Sequence, residues 1–381
     1  MPDSVYPTTF EDAAAHLAAA AEEGRRVRVV GGATKLGWGG VTEPPQLEIN
    51  TAGLDRTLEH NPGDLTAIFA AGTPLERARD ELAVAGQRLA IDPPLGAGTS
   101  SGATIGGIFA TGDSGPLRHR YGQPRDLILG ITVALSDGTI ARAGGKVIKN
   151  VAGYDLAKLF TGSFGTLGMI LSVNVRLHPL PAGTVTVLGA ASDPDVLGSA
   201  VLRLGRAPLE LEALDVAWRA GRGGLLAQVA GVEPRRRGER IVAMMREAGL
   251  EDVDVTDDDG PLWARQRAGQ RSVEGALVRV GTRPSRLTSV LRAADACGAT
   301  LVGRAAFGTS YLQMDPAEIG TLRVGLPPGA VAIVLDLPER ARGQVDPWGA
   351  PDDPAVALMR SVKRRFDPAA ILNPGVFVGG I

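Results

Sequence analysis

From Gly96 to Gly115 the chain is built almost wholly of glycine, alanine, serine and threonine, within PPLGAGTSSGATIGGIFATGDSGPLRHRYGQPRDLILG, and few folds use such a run. With so little side chain, the backbone can lie against a ligand along most of its length. Gly96, Gly98 and Gly102 spell a near miss to the dinucleotide fingerprint, but two prolines precede them and no βαβ unit follows. A nicotinamide-type Rossmann fold is therefore disfavoured. A Walker A loop is missing as well, since Lys35 lacks the glycine spacing and the following Ser or Thr.

A second glycine-rich segment, VRVVGGATKLGWGG, lies earlier. Val27 to Val30 read as a short buried strand that delivers Gly31, Gly32 and Thr34 into a tight turn, where backbone N–H groups can approach a phosphate oxygen. The same cluster also suits an ordinary tight loop. Before it, Thr9 caps a helix through Ala21 that stops at Gly24. After it come LEIN, a turn at Asn61 to Gly63, the strand LTAIFAAG and the helix of TPLERARDELAVAG, for which Thr73, Pro74 and Glu76 predict a capping box and Gly86 a stop. DLILGITVALSDGTIARAGG predicts a hairpin turning at Asp137 and Gly138, and GTLGMILSVNVRLHPLP a closing strand. Pro179 and Pro181 mark a domain boundary, so the first domain spans 1–180.

Beyond it, strand and helix patterns alternate in two successive sets, TVTVLGA to PRRRGERIVAMMREAG and ALVRVG to AVAIVLD. They predict an α+β second domain, 181–345, with an antiparallel sheet covered by helices on one face. Residues 346–381 form a helix and a turn-rich end.

With 40 Lys and Arg against 42 Asp and Glu, the net charge of -2 gives no electrostatic footprint for nucleic acid or an anionic membrane. A small molecule or a protein is the expected partner. The single cysteine, Cys297, excludes an intrachain disulfide and a CxxC cluster site. Any iron-sulfur chemistry must then sit in a partner. The N-terminus lacks the basic start and apolar core of a signal peptide, and no stretch reaches the roughly 20 apolar residues of a membrane span. The expected location is cytoplasmic, with any membrane association peripheral and through partners.

The order of VVGGATK, AAGTPLERARDELAVAG, ATIGGIFATGDSG, RYGQPRDLILGITVALSDG and GSFGTLGMILSVNVRL resembles the PCMH-type FAD-binding domain of the vanillyl-alcohol oxidase superfamily, over nearly all of the first 180 residues. The resemblance implies a two-subdomain FAD-binding fold. It places Gly31, Gly32, Ala33, Thr34 and Lys35 at the pyrophosphate. It also places Thr104, Gly106, Gly107, Thr111, Gly112, Ser114 and Gly115 along pyrophosphate, ribityl chain and ring, with Gly168 and Ile170 near the adenine. Relatives that tether the flavin use a histidine in the first loop, where this chain has Thr34 and Lys35, or a cysteine, so noncovalent FAD is expected. GGKVIKNVAGYDLAKLFTGSFGTLG and FDPAAILNPG are similar to the smaller, E-type flavin subunits of bacterial glycolate oxidases. That implies a larger flavoprotein subunit and an iron-sulfur subunit as partners, and a small hydroxy-acid substrate.

Oxidising a 2-hydroxy acid needs a base for the hydroxyl proton, a cation for the carboxylate and a hydride acceptor. The larger subunits of this group share a histidine-rich metal-binding segment in the second domain. Here the four histidines are His16, His60, His119 and His178, so that segment is missing and no metal is expected. The resemblance sets Lys146, Lys149 and Tyr154 beside the flavin, with a solvated loop as the alternative. Asn373, fixed by Pro374, either meets the flavin edge from the second domain's end or sits in an exposed turn. Arg118, His119, Arg120 and Arg125 form a basic cluster suited to a carboxylate or to surface pairing. RRRGER, from Arg235 to Arg240, reads as a solvated helix face or a partner surface. The expected function is an FAD subunit passing electrons from hydroxy-acid oxidation towards an iron-sulfur partner and quinone. The alternatives are a self-sufficient sugar or alcohol oxidase and an assembly subunit with structural FAD.

Overall fold

The computed structural model describes residues 2–95, 102–146, 154–272, 274–349 and 353–381. They divide into two compact units: 2–114, 122–180 and 353–381 in the first, and 115–121 with 181–349 in the second.

Among the described residues the first unit holds two main sheets and a short antiparallel pairing of Gln87–Arg88 with His178–Pro179. Asp3–Val5, Leu47–Asn50 and Val27–Val30 form a small parallel sheet in that order. Helix Phe10–Glu22 covers it with Ala13, Ala14, Leu17 and Ala20, the helical spacing of one buried face. Thr9 caps this helix, its hydroxyl accepting from the Asp12 N–H at 3.1 Å. A five-stranded sheet runs Thr57–Asn61, Thr66–Ala70, Met169–Arg176, Ile128–Ala134, Ile140–Gly144, antiparallel throughout. Its last two strands are the hairpin that Asp137 and Gly138 predict, with Gly138 at φ +81°.

Two local expectations change. The capping box at Thr73 does not form. Helix Leu75–Ala83 starts after Pro74 without a side-chain cap, because the Thr73 hydroxyl donates to the Arg56 carbonyl (3.2 Å) while its own carbonyl accepts from Ile105 N–H. The glycine-rich run also contains a helix, Ile105–Thr111, in which the sequence shows no amphipathic period. Thr104 caps it, accepting from Gly107 N–H at 3.4 Å, and Gly112 closes it at φ +64°. Tertiary packing sustains it: Gly106 lies so close to Ala71 that a Cβ would meet that residue's Cβ at 2.7 Å.

The second unit carries one eight-stranded antiparallel sheet, in the order Glu251–Thr256, Thr184–Ala191, Arg222–Ala230, Ala213–Arg219, Thr300–Arg304, Thr309–Met314, Ala276–Gly281, Val331–Asp336. Each half is a β-α-β-β-α-β repeat, and the two join through the pairing of Ala213–Arg219 with Thr300–Arg304. Helices Pro194–Arg206, Pro234–Glu247, Leu287–Ala296 and Ile319–Gly325 bury Leu197, Val201, Leu204, Ile241, Met245, Leu291 and Leu322 in one core with alternate strand residues such as Val185 and Val187. Helix Gly260–Ala268 takes the other face. Its Trp263 indole N–H donates to the hydroxyl of Thr186, which points away from that core, at 2.8 Å. On that same polar face Arg304 pairs with Asp215, its cross-strand neighbour, and with Gln270; Arg304 and Asp215 are fully buried.

Candidate flavin site

Strand Val27–Val30 runs directly into Gly31 and Gly32, which press on the second glycine-rich segment, Gly32 against its backbone and Gly31 against the Thr104 side chain. A Cβ on Gly32 would lie 1.6 Å from the Gly102 carbonyl oxygen, and one on Gly31 2.3 Å from Thr104 Oγ1. Both positions require glycine because the chain closes on itself there. The next residue, Ala33, turns at φ +56°. Lys35 then reaches the second segment: its Nζ lies 3.4 Å from Asp113 Oδ2 with both side chains almost wholly buried, 3.3 Å from Thr34 Oγ1, and over the Trp38 ring. A buried ion pair thus joins the two segments, and Asp113, which sequence reasoning missed, is its acidic half. Asp113 interrupts an otherwise uncharged run between Asp92 and Arg118, and that was the available signal.

The remaining glycines divide by what surrounds them. Gly106 is closed by Ala71, and Gly168 by Phe160 Cε1 (3.0 Å) and the Ala134 carbonyl (3.2 Å). Gly107 has only Thr104 Oγ1 within 4 Å of its absent Cβ among the described residues, and Gly162 has nothing. Backbone there is open to a ligand. Thr111 bonds back to the Gly107 carbonyl at 2.8 Å, and Ser114 is buried. Gly115 begins the segment that belongs to the second unit. Ile170 is buried in strand Met169–Arg176, opposite Val133. Two residues past that partner strand, the Ser136 hydroxyl is buried without a hydrogen-bond partner among the described residues, in the region that the resemblance assigns to the adenine.

Of the proposed catalytic residues, Lys149 lies outside the described residues. Tyr154 is 93% exposed. Asn373 belongs to the first unit, not to the end of the second, and its amide donates to the Phe164 carbonyl at 2.8 Å. Its φ of +44° and its N–H bond to the Val27 carbonyl fix it in the fold. Lys146 pairs with Glu59 at an exposed position, and that hydrogen bond, with a second from Asn61, holds the Glu59 carboxyl below its ordinary range.

The basic cluster is divided. Arg125 stays with the first unit, whereas Arg118, His119 and Arg120 lie in the second. There the buried Glu212 carboxylate accepts from Tyr121 OH at 3.0 and 3.2 Å and faces Arg120 Nε at 3.7 Å; Arg120 also donates to the Glu210 carbonyl. His119 and Arg118 pack on Phe307, each 5.8 Å from its ring. The Arg235 to Arg237 run pairs with Asp257, Glu233 and Glu210 of its own unit.

Burial holds the His119 imidazole below its ordinary value of 6.5, with the Glu212 charge opposing the shift. An unfolded chain therefore takes up a proton that the native unit refuses. Stability falls as pH drops below about 6.5, by at most about 1.4 kcal/mol per pH unit. Denaturant unfolding at pH 7 and pH 5 should show this loss, and His119→Phe should flatten it; an unchanged slope in the variant would assign the effect to other groups.

A domain with interlocked glycine segments and open backbone, followed by an antiparallel α+β unit, is suited to a flavin-dependent oxidoreductase. The family models agree: the FAD binding domain matches residues 4–144 and the C-terminal domain of FAD linked oxidases matches residues 350–377. The chain thus carries an FAD binding domain and a C-terminal segment like that of FAD linked oxidases, and FAD is its cofactor. It is 28% identical to an uncharacterised FAD-linked oxidoreductase of Mycobacterium tuberculosis, covering 98% of this chain and 90% of that protein. It is 37% identical to the glycolate oxidase subunit GlcE of Escherichia coli over 34% of this chain and 36% of GlcE. It is also 36% identical to a D-lactate dehydrogenase of Archaeoglobus fulgidus over 46% of this chain and 38% of that enzyme. An alkyldihydroxyacetonephosphate synthase structure shares the fold, with a TM-score of 0.72 at 13% identity, covering 98% of this chain and 77% of the synthase. Among the described residues no helix is long and apolar enough to cross a membrane.

Proposed function

We propose that this chain is the FAD-binding subunit of a 2-hydroxy-acid oxidase or dehydrogenase of the glycolate oxidase type, passing electrons towards an iron-sulfur partner and a quinone. The similarity to GlcE and to hydroxy-acid dehydrogenases carries the reading. The single cysteine supports an iron-sulfur centre on another chain, and the absence of histidines after His178 supports a division of labour with a larger flavoprotein subunit. We assign the complex to the cytoplasm, with any membrane association peripheral and through partners.

Bound FAD supplies a two-electron acceptor for the hydride of a carbinol C–H bond. Gly31 to Lys35, Gly107, Gly112 and Ser136 hold it without a covalent tether, while the Lys35–Asp113 pair keeps the two loops together. We assign roles at the ring to Lys149 and Tyr154 on the family resemblance alone.

The native chain should be isolated with its co-purifying proteins, and glycolate-driven dye reduction measured with and without them. The expected result is flavin absorbance near about 450 nm in the chain alone, as for any flavin, and turnover only in the complex. No flavin after reconstitution overturns the reading. Anaerobic bleaching of the isolated chain by a sugar or alcohol would replace it with a self-sufficient oxidase.

A further inference from the structure

Lys363, on helix Asp353–Phe366, is buried, and its ammonium is fully bonded. It donates to the Thr166 carbonyl (2.8 Å), the Leu372 carbonyl (2.8 Å) and Asp367 Oδ2 (2.6 Å). Asp367, also buried, accepts from the Leu372 N–H at 2.9 Å and the Ile371 N–H at 3.3 Å. Three donors and a matched carboxylate leave this charge well satisfied.

The two carbonyls lead to different places. Leu372 is flanked by residues that bridge Val27: the Val27 N–H donates to the Ile371 carbonyl at 2.8 Å, and the Asn373 N–H to the Val27 carbonyl at 3.0 Å. Val27 starts the strand that delivers Gly31 and Gly32. Thr166 closes the loop whose Gly162 and Phe164 N–H groups donate to the Phe109 and Ala110 carbonyls of helix Ile105–Thr111. Asn373 adds a second tie to that loop through Phe164. One ammonium therefore links the strand before the first glycine segment to the end of the second, and every tie lies within the first unit.

We propose that Lys363, with Asp367, is a positioning residue for FAD: docking of the C-terminal segment 363–373 holds the two glycine-rich segments in register, so cofactor binding and tail docking are thermodynamically coupled. This rests on the reading of the chain as a flavin binder, which FAD uptake by the wild-type apoprotein tests separately. Coupling between two events is reciprocal. FAD must slow amide exchange at Ile371, Leu372 and Asn373 in the wild-type protein, and loss of the lock must weaken FAD.

The test is hydrogen exchange of the full-length apoprotein with and without saturating FAD, together with FAD titrations of Lys363→Met and of Lys363→Met/Asp367→Leu. The double variant removes the uncompensated carboxylate and should recover much of the thermal midpoint, yet still bind FAD at least about tenfold more weakly than wild type. Val173→Ala, in the five-stranded sheet, should lower the midpoint and leave FAD affinity within about twofold. Unchanged exchange at Leu372 and Asn373 overturns the proposal, whether or not the variants fold. So does recovery of FAD affinity together with stability in the double variant. If the wild type takes up no FAD, the flavin reading itself has failed, a separate outcome.

Discussion

Gly32→Ala is expected to yield a protein that purifies without flavin. The added Cβ would stand 1.6 Å from the Gly102 carbonyl oxygen, and no rotamer relieves a clash between a Cβ and backbone. Either the first loop or the Gly102–Thr104 stretch must move, at a cost of about 3 kcal/mol, the upper part of the range for overpacking. If that cost falls on the FAD-competent arrangement, affinity drops about 100-fold. Flavin content after purification and an FAD titration measure it. Gly107→Ala is the informative partner, since its Cβ meets only Thr104 Oγ1, at 3.2 Å, and alanine suits the helix better than glycine. That variant should fold with equal or slightly higher stability and still lose FAD affinity, because it fills backbone open to the ligand. Normal flavin content in both would show that the cofactor does not use this junction.

The second large effect lies in the other unit. Asp215→Ala leaves the Arg304 guanidinium buried among Tyr311, Gln270 and the strands, without its carboxylate. Removing one partner of a buried pair costs about 3–5 kcal/mol, which lowers the thermal midpoint of a unit of this size by roughly 10 °C. The triple replacement Asp215→Leu, Gln270→Leu, Arg304→Met should restore most of the loss, because it removes the charge and its polar partners together. Differential scanning calorimetry separates these outcomes. A shift of only about 1 °C for Asp215→Ala would mean that water reaches the guanidinium.

What could be read from the sequence had short-range causes. Thr9 caps its helix because a hydroxyl three residues before the Asp12 N–H lies within reach once the helix forms and nothing else claims it. Asp137 and Gly138 turn their hairpin because the φ of +81° at Gly138 suits glycine. The two strand-and-helix sets of the second domain emerge as two repeats in one sheet, since alternation of buried and exposed positions needs no knowledge of the partner strand. Thr73 shows where that reasoning stops. Its spacing to Glu76 satisfies the capping pattern, but the Arg56 carbonyl, 17 residues earlier in the chain, takes its hydroxyl. Helix Ile105–Thr111 likewise carries no amphipathic signal, and the contact of Gly106 with Ala71 sustains it.

By itself, the sequence determined that this chain carries an FAD binding domain, because the order of small residues, helix and closing strand is a local pattern repeated through one family of folds. Tertiary structure alone decided why those glycines are needed. Gly31, Gly32 and Gly106 are closed by the chain itself, whereas Gly107 meets only Thr104 Oγ1 among the described residues. It also decided which charges hold the cradle: Lys35 with Asp113 across 78 residues, and Lys363 bridging Thr166 and Leu372. Such pairings depend on distances in space that sequence separation does not encode, and burial makes them strong because no water competes for the same groups.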